Sequence, residues 1–545
     1  MLPRGGEIME NNLLTEKWLT VISRQGDKRK VSLPELFSEL ERNDVADFPA
    51  LLPHQRGPFH VFLVQLACHA LETSGAAEHL PDPTPEEPWK LLGQHSPDEW
   101  QQMIRGIVPG YFEQFPNDEP WCLITNDLSK PAFLQCPVPD AKFTASKSII
   151  KRPDDLDLMI SSKNFDIKSD SFQNAQTEDW FFALISLQTN SGFLGRGNYS
   201  CARQNGGWAQ RPIFTLQSSS SPGARWGRDA RVILSCKGSD EDALFQVCEN
   251  TDDKRLLWLD TWDGTTSYEL PSLHPLFIEV SRRVRAINKN GKLFFKKAPS
   301  ACPRIDIGKT CGNLGDPWEP IVSDAKGVRV FSSSLDYANI AKIITGEETI
   351  MPNLLIRFHK GIDNTKGLQL WCSALVKGQG KTEGYFERLI PVDAQKKHNR
   401  HDLWQAAQEM LNHADVAKRS VLAVAVARFL SCGHEGAGNN AIDWDSSVIK
   451  NCLPRVRDRF EKDIDNKFFE YFWTVCDGIQ DGRVTDPNYL VPWQDYLRKL
   501  IRDCYQFAVS SLPCNTSLIV KASALGELTL NCLIAKYFPL QKGNG

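Results

Sequence analysis

No stretch of the chain approaches the ~20 consecutive apolar residues that a bilayer-spanning helix needs. The most apolar runs, at 61–67 and 421–427, are far shorter. The opening MLPRGGEIMENN has no apolar centre of the kind a secretory signal carries, and it leaves both Met1 and Met9 open as the start. The 15 cysteines are odd in number, scattered and never spaced as CxxC, which argues against zinc ribbons, redox dithiols and secreted disulfide scaffolds. Reduced thiols in a cytoplasmic protein are the expectation. Charge of one sign is also missing. With a formal net charge of -4 and a pI near 6.3, the whole chain is no polycation, so any nucleic-acid contact has to be local.

Signatures of catalysis are absent too. There is no serine nucleophile elbow, no HExxH and no HNH-like Cys/His constellation. The pairs Asp155/Asp157 and Asp463/Asp465 have DxD spacing but sit beside no glycine-rich phosphate loop. Glu383/Glu387, and Glu470 near the second aspartate pair, are spacings ordinary on exposed helices. His398 and His401, with Asp402 beside them, could share a helical face as metal ligands. Lys396, Lys397 and Arg400 around them suit a solvated first turn instead. No catalytic residue, metal or cofactor is expected.

What is present begins with material for cores. Hydrophobic content is 41%, with 15 Trp and 28 Phe among 545 residues, enough for roughly two to four domains. Ser32 with Glu35 three residues on reads as a helix start in VSLPELFSEL, and FHVFLVQLACHALE after Pro58 reads as an apolar-faced core helix. From about residue 396 the texture changes. Four long segments with helical apolar spacing follow, at 401–429, 446–477, 491–511 and 515–538, parted by Gly/Asn or Pro/Asp breaks. The expected fold is α+β: an irregular mixed α/β N-terminal domain over 1–395, then a C-terminal four-helix bundle over 396–545.

Three loops and one further short segment carry functional promise. QTNSGFLGRGNYSCARQNGGWAQRP, at 188–212, crowds Gly192, Gly195 and Gly197 into six positions with Arg196 and Asn198, and breaks again at Asn205-Gly206. Such a loop lets backbone approach a phosphate or a groove. Its GxxGxG spacing is neither the dinucleotide fingerprint nor a P-loop, and taken alone it equally suits an irregular connection. SRRVRAINKNGKLFFKKAPSACPRIDIGKT places Arg282, Arg283, Arg285, Lys289, Lys292, Lys296 and Lys297 together without an acid, and Asn290-Gly291 marks a hairpin there. VKGQGKTEGYFE, at 376–387, is the third. In ISSKNFDIKS, Lys163, Asn164, Phe165 and Lys168 could hold a phosphate beside a stacked base, or form a polar turn over a buried Phe.

With these residues in hand, the chain resembles the CasA family, the large subunits of the type I-E CRISPR surveillance complex Cascade. The resemblance rests on NLLTEKWLTV, VSLPELF, SSKNFDIKS, QTNSGFLGRGNY...ARQNGGW..RP, SRRVRA...GK, GDPWEPI and GQGKTEGYFERLIPV, in that order, ahead of the terminal bundle. It implies a non-enzymatic subunit that inspects double-stranded DNA for the short protospacer-adjacent motif. It further implies help in opening the duplex for guide RNA, with cutting left to a separate helicase-nuclease. The implied motif-facing loop is Gly192, Gly195, Arg196, Gly197 and Asn198, meeting the minor groove. The implied groove lysine is Lys309, with Lys292, Lys296 and Lys297 as neighbours. The implied strand-separating wedge is Gln379, Lys381 or Thr382. Lys163, Asn164 and Phe165 correspond to the loop that docks on guide RNA and neighbouring backbone, guide-end-capping and small subunits. The bundle would lie beside the small subunits and the displaced strand. Two departures stand out: Cys302 and Cys311 cannot make the zinc site some relatives carry, and Leu194 and Arg196 replace glycine found in some members. The competing readings are a metal-dependent nucleic-acid-processing enzyme using His398 and His401, and a stand-alone double-stranded DNA-binding protein.

Overall fold

The computed structural model describes residues 11–84, 86–87, 90, 95–139, 141–158, 175–193, 195–200, 211–236, 252–306, 313–324, 327–330, 335–346, 350–359, 361–363, 367–378, 381–392, 399–435 and 442–539. The fold is α+β with a helical C-terminal region. It divides into two compact units, one of Met1–Ser333 with Glu348–Gln395, the other of Ser334–Glu347 with Lys396–Gly545. Sequence order alone gives a single cut near 396. The helix Tyr337–Thr345 crosses it by joining the second unit.

The first unit is built around the helix Arg56–Thr73, buried on every side from Gly57 to Leu71. The sequence pattern predicts one apolar face. A helix that is apolar all round needs cover all round, and this one gets it from the helices Pro97–Gly106, Thr177–Asn190 and Pro222–Cys236 and the strand Leu273–Ile278. Among its buried polar side chains, Gln65 donates to the backbone carbonyls of Leu276 and Phe277. The helix Leu33–Glu41 starts at the expected capping box, with Ser32 and Glu35 bonded reciprocally to each other's amides. Sheets are small and dispersed. Three matter for the site: Lys28–Val31 with Leu19–Ser23 and Val45–Asp47; Ile149–Ile150 with Lys292–Ala298 and Arg283–Lys289; and Lys381–Pro391 with Gln369–Gly378 and Ile213–Gln217.

A polar hub ties this unit together. Asp229 is fully buried and accepts from His60 Nε2 at 2.9 Å, Thr215 Oγ1 at 2.5 Å and Trp318 Nε1 at 3.1 Å. Beside it Arg228 makes a two-pronged pair with Asp363, at 3.0 and 2.9 Å, and donates to the Leu355 carbonyl at 2.7 Å. The GDPW motif therefore serves the fold. Its tryptophan closes the hub, and Asp316 receives the buried Arg211 Nε at 2.8 Å.

In the second unit four helical segments form the bundle. The first runs through Arg400–Asp415, a π-helical stretch Val416–Leu422, and Ala423–Glu435. Ser447–Cys476, Val491–Ser511 and Ile519–Tyr537 follow. Tyr337 of the inserted helix packs on Phe468, ring centroids 5.1 Å apart. Among the described residues no helix is long and apolar enough to cross a membrane.

Candidate nucleic-acid interface

The helix Thr177–Asn190 delivers the chain into the glycine loop, and its last turn fixes the neighbouring hairpin. The amide of Gln188 donates to the carbonyls of Leu134 and Arg282, at 2.8 and 3.0 Å, while its oxygen accepts from the N–H groups of Ser281 and Arg282. Arg282 reaches back. Its guanidinium donates to the carbonyl of Tyr199 at 3.0 Å and to that of Gly192. The hydroxyl of Ser200 donates to the Ser191 carbonyl, so the loop's two ends are closed on each other.

Inside the loop, the N–H of Asn198 donates to the Gly195 carbonyl at 3.0 Å. Gly195 and Gly197 have φ of +92° and +85°, backbone that side chains resist. A Cβ on Gly195 would meet nothing within 4 Å, so its surface is open, whereas one on Gly197 would lie 3.2 Å from Pro299 Cβ. That contact marks where the loop leans on the far end of the basic hairpin, and Ser300 N–H donates to the Gly197 carbonyl at 3.0 Å. Arg196 is exposed. Phe193 is 57% exposed, tilted against Tyr199 with centroids 5.3 Å apart.

The hairpin pairs Arg283–Lys289 with Lys292–Ala298 in the register Lys289 to Lys292, turning at Asn290 and Gly291, both at positive φ. Its basic run is not one cationic face. Arg283 is buried and donates to the carbonyls of Trp262 and Pro299. Arg285 is fully buried among neutral acceptors, including the Lys130 carbonyl at 2.8 Å, and burial draws its pKa down to about 10. Lys296 donates to the Thr144 carbonyl at 2.6 Å and lies 5.6 Å from the Phe143 ring. Lys289, Lys292 and Lys297 are the exposed cations.

The glycine loop and the basic hairpin are thus brought together, as separate motifs in the sequence would not require. The third segment lies in another sheet. Gln369–Gly378 and Lys381–Pro391 close on each other at Gly378 and Lys381, with Thr382 opposite Lys377. Gln379, Lys309, the Lys163–Asn164–Phe165 segment, Leu194, the Asn205-Gly206 turn, Cys311 and His398 lie outside the described residues. Sequence reasoning misses Phe193 and the stapling role of Arg282: an aromatic within a glycine-rich stretch is visible, but not its exposure.

Several of the acidic candidates have structural duties. Asp402, 2% exposed, accepts from the N–H groups of Asp481 and Gly482 at 2.9 and 2.7 Å, so the carboxylate beside His401 anchors a turn. Asp157 holds His54 and Gln55 at 2.8 and 2.6 Å, and Asp155 pairs with Arg152. Asp465 accepts from the Tyr337 N–H. Among the described residues one cluster has metal-ligand composition, His69, Glu72 and His274. Arg255 already sits there, donating to Glu72 Oε2 at 2.8 Å and lying 3.2 Å from His69 Nδ1, while His274 is 3.2 Å from the same carboxylate. The guanidinium supplies the positive charge that a cation would.

The fold is that of the Cse1 (CasA) proteins. The structure of Thermus thermophilus CasA (Cse1) superposes with a TM-score of 0.60 at 15% identity, covering 97% of this chain and 100% of that one. Cse1 from Acidimicrobium ferrooxidans gives 0.62 at 14% identity, with 97% and 98% covered. Thermobifida fusca Cse1 gives 0.60 at 14% identity with the same coverage. No curated protein matches the sequence. At the level of sequence, residues 12–218 match the family model of CRISPR-associated protein Cse1. The resemblance to CasA is therefore supported both by the sequence of the N-terminal part and by the fold of nearly the whole chain.

Proposed function

We propose that this chain is the non-catalytic large subunit of a type I-E CRISPR Cascade complex. It reads the protospacer-adjacent motif in double-stranded DNA, promotes strand separation and R-loop formation by guide RNA, and helps recruit the helicase-nuclease. Its partners are guide RNA, target duplex and the backbone, guide-end-capping and small subunits, in the cytoplasm. The observation that carries this reading is the closure of the glycine loop onto the basic hairpin through Arg282 and the Ser300–Gly197 bond. Bare backbone at Gly195, flanked by Arg196 and Asn198, suits the narrow minor groove, whose hydrogen-bond pattern is degenerate and admits several sequences. Exposed Lys297 lies toward the hairpin end that the loop touches, and Lys292, Lys296 and Lys309 are the candidates for the groove.

In the same reading Gln379, Lys381 or Thr382 presses on the first target pair. Separating strands costs about 1.4 kcal/mol per base step and guide pairing roughly balances it, so a small push at the first pair decides initiation. Lys163, Asn164 and Phe165 are assigned to docking on guide RNA and neighbouring subunits. The enzyme alternative, a metal on His398 and His401, would have to do without the neighbouring Asp402, whose carboxylate accepts from two backbone amides. A stand-alone duplex binder would need no guide RNA.

The deciding experiment is binding of motif-bearing and motif-scrambled duplexes by the complex reconstituted with guide RNA, comparing wild type with Gly195→Asp, Gly197→Asp. Motif preference in wild type, lost in a variant that still assembles, is the expected result. Equal binding of both duplexes by both proteins would make the loop structural. Motif binding by the isolated chain without guide RNA would favour the stand-alone reading.

A further inference from the structure

Away from the glycine loop, the first unit has a cleft of about 650 Å³ between the helices Arg56–Thr73 and Pro222–Cys236 and the long hairpin. That volume falls within the range of small-ligand sites. Two guanidinium groups line it, Arg56 and Arg225, and among the described residues neither has a carboxylate within ion-pair distance. Arg225 lies over the Trp371 ring, 4.1 Å from its centroid. Trp371 is held in turn by Glu387, which accepts its indole N–H at 2.8 Å. The guanidinium is therefore fixed flat before anything binds. One of its nitrogens donates to Gln217 at 3.3 Å, but Nε is buried with no acceptor. Arg228, one turn along the same helix, shows what a satisfied arginine looks like here: two carboxylate contacts to Asp363, one to Asp229 and a carbonyl.

A desolvated guanidinium N–H without a partner is unfavourable unless something completes it. Burial also lowers the Arg225 pKa to about 10, against the pull of the Asp229 and Glu387 carboxylates, and the nearby Arg56 charge adds to the lowering. An anion in the cleft would relieve both. We propose that the cleft is a binding site for a phosphate group carried by a small polar ligand of mononucleotide size. Arg225 and Arg56 would share the phosphate, since a tetrahedral oxyanion offers oxygens to two forks. Asp47 and Glu387, also lining the cleft, would accept from hydroxyl or amino groups on the rest of the ligand.

The test uses the full chain and does not depend on the DNA-reading proposal. Thermal unfolding and calorimetric titration would be run with inorganic phosphate, a nucleoside 5′-monophosphate and malonate, on wild type, Arg56→Gln, Arg225→Gln and, as a control on the glycine loop, Arg196→Gln. The expected result is saturable stabilisation by the monophosphate, weaker by phosphate alone. Affinity should fall at least about tenfold in both cleft variants and stay unchanged in the control; a loss of one charge-assisted contact of ~1.4 kcal/mol corresponds to that factor. Should Arg225→Gln fail to fold, Arg56→Gln decides, because its side chain makes no bond within the protein among the described residues. Absence of saturable binding, equal binding by wild type and cleft variants, or binding of malonate in preference to both phosphates would overturn the proposal. Binding of inorganic phosphate as tight as the monophosphate would also overturn it, since the ligand would then be phosphate alone.

Discussion

Arg282 spans the two ends of the glycine loop with a single planar fork, gripping the carbonyls of Gly192 and Tyr199. Arg282→Ala should release about 1.5 to 3 kcal/mol of charge-assisted bonding, measured as lower duplex affinity and faster proteolysis within 191–200. Arg282→Lys should not rescue it, because an ammonium cannot present two parallel donors. The two glycines separate in kind. Alanine at Gly195 meets open space and carries only the positive-φ strain, about 1 kcal/mol. At Gly197 the same change also drives into Pro299, so motif binding should fall further for Gly197→Ala than for Gly195→Ala; equal losses would mean the loop does not bear on the hairpin in solution. At this scale the sequence is only partly legible. It displays the glycines and the run of arginines, but not that Arg283 and Arg285 point inward to carbonyls while Arg282 staples a loop. A charge run shows composition, and which charges are satisfied internally is decided by carbonyls contributed from residues as distant as Lys130 and Gln135.

Elements whose cause is local are the readable ones. The Ser32/Glu35 capping box and the Asn290-Gly291 turn follow from residues within a few positions of one another, and the bundle follows from long apolar periodicity. The inserted helix Tyr337–Thr345 is not readable as part of that bundle, because its partners begin after residue 399. Nor is the π-helical stretch Val416–Leu422. A π turn absorbs an extra residue without turning the flanking α-helical faces away from their partners. Deleting Ser420 should therefore leave a bundle that melts within a few degrees of wild type. Deleting Arg428, inside the regular segment, rotates everything beyond it by about 100° and should abolish the cooperative transition. Circular dichroism melts of the two deletions distinguish them, and equal damage would show that the stretch has no such slack.

For the whole molecule, stability carries a pH signature. Burial lowers the pKa of His60, His69, His274 and His359 below the ordinary 6.5. The native rings take up protons less readily than the same rings in the unfolded chain, so below about pH 6.5 the unfolded chain binds more protons than the native one. Stability should fall as pH falls, by up to about 1.4 kcal/mol per pH unit for each histidine. Melts at pH 7.5 and 5.5 test this; an unchanged midpoint would mean that these rings are accessible to protons in the fold. The hub around Asp229 has a consequence of a different sort, one of timing. Its members come from residues 60, 215, 228, 229, 318 and 363, and the His60–Asp229 bond alone spans 169 positions. On the ribosome, Arg228 has no Asp363 until that residue has left the exit tunnel, and Asp229 has no indole until Trp318 has. The first unit should thus stay uncommitted through most of its own synthesis and then set late and at once, as folds dominated by distant contacts do.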